Sequence, residues 1–319
     1  MSSTLPWVSV IVPVRNGADD LASLLECLAK QTLAREQFEI VVADDGSTDG
    51  GTDEVATSDG HVRVIEGPPL NAYAARNRAV AASRAPVLAF CDADCRPEPN
   101  WLERGLSALN EADIIAGRIR MQIPPHPSVW ALLDAESTKD HARQVAVGNA
   151  ETANLFLHRA LYDRVGPFDV EQPGYGDFEF VLRCVSNGAT LAYASDAIVT
   201  HPVRMGGRAF LRNVWAMNHS YATFESRSGR LPDGVRLREW VPVIQTVRAR
   251  RRFGMSTRLD RRWMGENGFR PRLRDDLRAL PITYLFLPYF CSVAQLVGWI
   301  TTRRRHSEQP ENSSAIHRA

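Results

Sequence analysis

The sequence predicts an α/β protein, a doubly wound mixed sheet continued by a C-terminal basic helical extension. Three observations predict it. Short, near-continuous runs of β-forming apolar residues recur through the first two-thirds of the chain, as strands buried on both faces require. Segments with helical spacing separate them, which is the alternation of a doubly wound sheet. The motifs Asp44-Asp45-Gly46-Ser47-Thr48-Asp49 and Asp92-Ala93-Asp94 each follow directly on such a run, at the strand ends where functional groups of these sheets collect.

Val8–Val14 (VSVIVPV) is the first strand, and Asp19–Gln31 follows as a helix with apolar residues at 21, 24, 25 and 28. Phe38–Ala43 is the second strand and Val62–Ile65 a short third. Asn71–Arg84 reads as an Ala-rich helix, Pro86–Cys91 as the fourth strand, Trp101–Asn110 as a helix and Asp113–Arg118 as another strand. After Pro124-Pro125 the pattern loosens. Asn154–Asp163 is a strand running into a helix start, Phe178–Ser186 is helical, and Leu191–Thr200 supplies one or two strands ending at His201. An amphipathic helix is expected over Gly206–Phe224, and Arg248–Arg274 is Arg-rich and weakly patterned. The expected division is a catalytic domain over 1–202, a basic helical extension over 203–306 and a disordered tail over 307–319.

The 319 residues are enough for one large domain with an appendage, and a hydrophobic share of 44% is ordinary for a globular protein. Five cysteines (27, 91, 95, 184 and 291) are odd in number and form no CxxC. Cys91 and Cys95 flank the second aspartate motif, but the absence of a further Cys or His nearby in sequence argues against zinc. No secretory signal opens the chain, so a reducing, cytosolic compartment is expected.

The net charge of +1 conceals an asymmetry. Residues 1–202 carry 16 Lys/Arg against 28 Asp/Glu, a net −12, and residues 203–319 carry 22 against 9, a net +13. An acidic first part suits a metal-binding catalytic domain, and a basic second part suits an anionic surface. Leu280–Ile300 is 21 residues without formal charge, followed by Arg303-Arg304-Arg305. That is long enough to span a bilayer with a positive-inside flank, although Pro281 and Pro288 interrupt it and an interfacial hairpin or a buried core helix would show the same run. Membrane contact on the cytoplasmic face, peripheral or through this single hydrophobic anchor, is the expectation.

Alternation along an extended backbone would send Asp92 and Asp94 to one side. Two such carboxylates repel unless a cation lies between them, and hard oxygen ligands suit Mg²⁺ or Mn²⁺. A cation there is most useful beside a diphosphate. Asp44 and Asp45, by contrast, fit either an ordinary Asx turn or a carboxylate that accepts from a base imide or ribose hydroxyls. Arg76, one turn into its helix, is placed to reach a phosphate or to hold the neighbouring carboxylates.

Taken in order, VSVIVPVRN, VVADDGSTDG and AARNRAVAASRAPVLAFCDADCRP closely resemble the family 2 glycosyltransferases of GT-A, Rossmann-like fold, over about residues 7–202. The resemblance implies a nucleoside-diphosphate sugar donor, UDP-linked by family habit, a divalent metal, and inversion at the anomeric carbon. It implies that Pro13 and Arg15 line the nucleoside pocket, that Asp45 contacts the base with Asp44 beside it, and that Arg76 lies close to the phosphates. Asp92 would touch the ribose or the metal, Asp94 would ligate the metal, and His201 would complete the metal site or contact the diphosphate. Further on, ANLFLHRALYDRVGPFD and GYGDFEFVLRC resemble the acceptor-binding part, which places the catalytic base at Asp177. The family's usual Glu before that Asp is Gly176 here, and Glu179 is an alternate base. A saccharide or lipid-linked acceptor from cell-envelope, polysaccharide or glycolipid synthesis suits the basic, hydrophobic C-terminal part.

Other classes fit less well. A nucleotidyltransferase would show a Gly-rich Arg/Lys loop after the first strand, where Pro13-Val14-Arg15-Asn16-Gly17 stands, and the GxGxxG of a dehydrogenase is missing there. No recognised nucleic-acid-binding module is present, so no nucleic-acid partner is expected. A catalytically inactive, membrane-associated nucleotide-sugar-binding scaffold is the remaining alternative, and Gly176 is what favours it.

Overall fold

The computed structural model describes residues 6–52, 62–137, 139–227 and 261–270, together with 290, 291, 293, 294 and 297. The strands are β1 (Val8–Val14), β2 (Phe38–Asp44), β3 (Val62–Ile65), β4 (Val87–Cys91), β5 (Arg96–Pro97), β6 (Ile114–Gln122), β7 (Asn154–His158) and β8 (Leu191–Pro202). The helices are α1 (Ala18–Leu28), α2 (Ala72–Ala82), α3 (Trp101–Ala108), α4 (Val129–Ser137), α5 (His141–Val145), α6 (Arg159–Val165), α7 (Gly176–Ser186), α8 (Gly207–Arg227) and α9 (Arg261–Glu266). Among the described residues the strands form one eight-stranded mixed sheet in the order β3-β2-β1-β4-β7-β6-β8-β5. The β3-β2-β1-β4 half is parallel, β7 runs antiparallel to both β4 and β6, and β8 is parallel to β6.

The expected strands and helices are present, with ends displaced by a few residues. Leu191–Pro202 is one strand rather than two. Several short elements were not anticipated, among them β5, α4, α5 and α9. β5 is two residues long and α5 five, too short for either to show a period. α4 reads VWALLDAES and buries Ala131, Leu132, Leu133, Asp134 and Ala135 in succession, so it lacks the polar face that marks an amphipathic helix.

The chain forms two compact units. The first comprises Met1–Pro124, Ser137–Glu171 and Gly176–Val203 and contains the sheet. Its core joins Ile11, Val41, Leu88, Phe90, Leu155 and Leu157 of the strands to Phe168 and to Phe180 of α7. Every residue of β2 is buried and all but Pro13 of β1, which explains their unbroken apolar runs. Fully burying a side chain such as Phe90 contributes about 1.5–3 kcal/mol.

The β6–β8 pairing skips register, from Gly117 opposite Ala194 to Arg118 opposite Ile198. Such an irregularity strands backbone carbonyls inside the sheet. Asn154 at the start of β7 satisfies two of them, its Nδ2 donating to Arg118 O and Ala197 O at 2.9 Å each, while its Oδ1 accepts from Trp101 Nε1 at 2.9 Å. Gly117 is required beside it, since a Cβ there would lie 2.4 Å from the Asn154 amide.

The second unit comprises Pro125–Glu136, Gln172–Tyr175 and Arg204–Ala319. Within it Asp134 of α4 holds Arg204 at 3.0 Å and Trp130 lies against Phe210, their ring centroids 5.7 Å apart. Trp215 of α8 meets Phe290 edge-on at 5.5 Å. Among the described residues no helix is long and apolar enough to cross a membrane. The uncharged run 280–300 lies almost wholly outside them, as does the tail 307–319.

Candidate active site

At the carboxyl ends of β1, β2 and β4, where strand order reverses about β1, a cleft of about 590 Å³ opens. The switch point of an open α/β sheet is where ligands bind in such folds. Pro13, Arg15, Asn16, Asp45, Leu70, Arg76, Asp92 and Asp94 are among the residues lining it.

Two loops build one wall. Asn16 follows β1 with a left-handed φ of 52°, which asparagine tolerates better than most residues. Its Oδ1 accepts from Thr48 N at 2.8 Å, and its own N–H donates to Ser47 Oγ at 2.9 Å. Asp49 accepts from Ala18 N at 3.0 Å and so serves the start of α1, where Gly17 offers no capping side chain. The Ser-Thr-Asp stretch thus clamps the β1 loop.

The adjacent aspartates after β2 divide their work. Asp44 is buried and turned into its own loop, accepting from Ser47 N at 2.9 Å and Thr52 Oγ1 at 3.3 Å. It is not among the cleft-lining residues, and its place beside Asp45 in sequence does not carry it into the site. Asp45 does line the cleft. Its carboxylate accepts from Leu70 N at 3.0 Å and meets Arg78 at 3.3 Å and Arg15 more loosely at 4.0 Å. Sequence reasoning passed over Arg78, which has no motif signal beyond its place in AARNR.

Asp92 and Asp94 both reach the cleft, but not by strand alternation. β4 ends at Cys91, and a turn closed by Cys95 N donating to Asp92 O at 3.0 Å carries the pair. Arg76, reaching across from α2, binds Asp92 at 2.6 Å. Burial opposes the charge on Asp92, yet Arg76 and then Lys139 outweigh it and hold the carboxyl below its ordinary range. Lys139 is itself buried and paired with Glu151 at 2.9 Å. Its part was invisible in the sequence, because it lies outside every motif.

His201, near the end of β8, brings its Nε2 to 3.5 Å from Asp94. Its Nδ1 is 2.8 Å from Pro202 O, a contact that requires the proton on Nδ1 and leaves a lone pair on Nε2 facing Asp94. Burial, and then Lys139, press the imidazole toward the neutral form. Cys95 completes a cluster in which ligand atoms of Asp94, Cys95 and His201 all lie within 4.8 Å of one another. The fold therefore supplies the histidine that the local sequence around Cys95 lacks. A neutral imidazole lone pair aimed at a carboxylate suits a cation between them, so these side chains fit a divalent metal.

The third group lies at the start of α7. Asp177 accepts from Tyr73 Oη at 3.0 Å on one oxygen and from Thr152 Oγ1 and N at 3.3 and 3.4 Å on the other. Gly176 N–H donates to the same Tyr73 hydroxyl at 2.9 Å. Glu179 is committed to Arg183, two positions of one helix face joined at 2.8 and 3.0 Å, and so belongs to the scaffold. Asp177 is not among the residues lining the cleft. It connects to the cleft through α2, which carries both Tyr73 and Arg76.

A sheet of this order with carboxylates at its switch point offers a cleft of the kind that holds nucleotides, and comparison with known proteins narrows it. Residues 9–166 match the model of glycosyl transferase family 2. The glycosyltransferase AglE of Haloferax volcanii is 34% identical over 215 residues, covering 65% of this chain and 70% of AglE. The chain belongs to glycosyl transferase family 2 and is a glycosyltransferase. The mannosyltransferase PcManGT of Pyrobaculum calidifontis, solved with GDP-Man and Mn²⁺, superposes with a TM-score of 0.61 over 93% of this chain and 88% of that one, at 16% identity. Residues 1–349 of TarS from S. aureus, solved with UDP-GlcNAc, give 0.52 over 94% and 91%, at 18% identity. At those identities the likeness shows the shared GT-A fold.

Proposed function

We propose that this chain is an inverting glycosyltransferase that moves a sugar from a nucleoside-diphosphate donor, a UDP-sugar in the first instance, to an acceptor hydroxyl. One observation carries the reading. Asp45, the Arg76-bound Asp92 and the Asp94–His201 pair line or border a single cleft at the sheet's switch point. Asp45 takes the base or ribose, with Pro13 and Arg15 beside it. Arg76 faces the phosphates, and its buried Nε has no hydrogen-bond partner among the described residues, a donor left for an anion. The nucleotide-sugar complexes of the two structural neighbours support the donor class.

Asp177 is the general base. The acceptor oxygen attacks the anomeric carbon on the face opposite the leaving group and its proton passes to the Asp177 carboxylate. The bond from that carbon to the diphosphate oxygen breaks, and its electron pair departs with the nucleoside diphosphate. No covalent enzyme intermediate forms. General-base help of this kind is worth about 10²–10⁴-fold. Asp94 and His201, with Asp92 alongside, would hold Mn²⁺ or Mg²⁺, which when bound neutralises charge growing on the diphosphate. The +13 charge of residues 203–319 supports work at an anionic membrane surface on a saccharide or lipid-linked acceptor.

The test is a thermal-shift panel of UDP, GDP and dTDP, with and without Mn²⁺, on the wild type and Asp94→Asn. Ligand at about 100 times its Kd adds about 2.7 kcal/mol, a shift of several degrees. A Mn²⁺-dependent shift by one nucleotide, lost in the variant, is expected, and no shift by any of them overturns the donor assignment. Asp177→Asn is expected to lower transfer by about 10²–10⁴-fold while keeping nucleotide binding, and full transfer by that variant removes Asp177 as base.

A further inference from the structure

α2 carries two polar side chains one turn apart that act on two different carboxylates. Arg76 holds Asp92 at 2.6 Å in the cleft. Tyr73 holds Asp177 at 3.0 Å. Tyr73 is 8% exposed, and its ring lies 6.0 Å from that of Phe168 and 5.6 Å from the Arg76 guanidinium carbon. The hydroxyl has one proton to give. The Gly176 N–H, which can only donate, fills its acceptor position at 2.9 Å, so the phenol proton is directed to Asp177. Burial, and then the Asp177 charge, push the Tyr73 hydroxyl well above the ordinary phenol range, which keeps it a donor.

The glycine at 176 belongs to the same arrangement. A Cβ there would lie 2.7 Å from Cε2 and Cζ of the Tyr73 ring. The ring reaches Asp177 only because position 176 has no side chain. Tyr73 and Gly176 are therefore a matched pair, and the hydroxyl stands against the carboxylate where a side chain at 176 would otherwise reach.

We propose that Tyr73 is a positioning residue for Asp177. It orients the carboxylate and, through α2, fixes it relative to the Arg76–Asp92 pair of the donor cleft. The proposal rests on Asp177 being the general base, and the experiment separates the two. Turnover of the full chain is read as nucleoside diphosphate released from UDP-glucose, UDP-N-acetylglucosamine and GDP-mannose, with octyl glucoside or water as acceptor. UDP affinity is read alongside.

Tyr73→Phe keeps the ring and deletes only the hydroxyl. It is expected to lower kcat by about 10²-fold, the scale of a small misplacement of a reacting group, with UDP affinity unchanged within about twofold. In an Asp177→Asn background the same change is expected to cost nothing further, because its effect passes through Asp177. Gly176→Ala, which drives a methyl into the ring, is expected to reproduce the kcat loss. Wild-type kcat in Tyr73→Phe overturns the proposal. An equal loss in both backgrounds also overturns it, marking a general structural role. Undiminished turnover by Asp177→Asn instead sinks the base assignment and the proposal with it. The same cycle read as Tm with Asp177→Ala needs no substrate, and a Tyr73→Phe loss that persists undiminished there overturns the contact.

Discussion

Replacing Lys139 by methionine tests whether the charges behind the cleft work as one network. The Lys139 ammonium lies 2.9 Å from Glu151, with side chains 10% and 18% exposed. At an effective dielectric near 20 that separation corresponds to an attraction of about 6 kcal/mol. Taking both ions out of water returns most of it, so the intact pair has a small net worth. Removing one partner is different. Glu151 keeps Gln144 at 2.7 Å but loses its cation, and Asp92 loses one of the positive charges that hold it ionised. Breaking a buried pair from one side costs about 3–5 kcal/mol, a fall in Tm of about 6–20 °C for a unit of this size. Urea and thermal unfolding of Lys139→Met, Glu151→Gln and the double variant measure it. The double variant is expected to lose less than the two single losses together, since neither charge is left stranded. A Lys139→Met loss under about 1 kcal/mol, or strict additivity, refutes the network.

The same pair sets a pH dependence. The Glu151 carboxyl is held below its ordinary value, against burial, by Lys139 and the Gln144 side chain, so its stabilisation is full above the unfolded carboxylate value of about 4.3 and is lost as pH falls through the lower folded value. The Lys139 value is raised, by Glu151 and Asp92 against burial, so its contribution is full below about 10.4 and is lost only above that. Unfolding free energy measured against pH should accordingly lose the pair's contribution only on the acid side of about 4 and the alkaline side of about 10, and Glu151→Gln should flatten the acid limb. Asn154→Leu leaves two sheet carbonyls and the Trp101 indole N–H without their partner; it is expected to cost about 3 kcal/mol or more, read as a lowered urea midpoint. Asn71 caps α2 by accepting from Tyr73 N and Ala74 N at 3.0 Å each; Asn71→Ala is expected to cost about 0.5–2 kcal/mol, read the same way. Gly105→Ala in α3 would set a methyl 2.2 Å from the Phe156 ring, and overpacking there is expected to lower stability by about 1–3 kcal/mol.

The sequence by itself determined the β-strand and helix order of the sheet and where its acidic loops fall. It could do so because a strand buried on both faces must be apolar throughout, as β1 and β2 are, and because chemistry gathers at strand ends. Its resemblance to a known family also singled out Pro13, Arg15, Asp44, Asp45, Arg76, Asp92, Asp94, Asp177 and His201 as site residues. Only the tertiary structure decided what each one touches. Asp44 and Asp45 are neighbours with equal chemistry, yet Ser47 and Thr52 claim one, and Arg78 and Leu70 claim the other. Asp92 and Asp94 share the cleft through a turn whose hydrogen bond no periodicity reveals. Tyr73 looks like an odd residue in an alanine-rich helix until Asp177 and the bare backbone of Gly176 are placed against it. His201 and Cys95 stand far apart in sequence and meet because β5 pairs with β8. Local patterns report burial and backbone period, whereas a site is made by contacts between segments distant along the chain, and those exist only once the sheet has assembled.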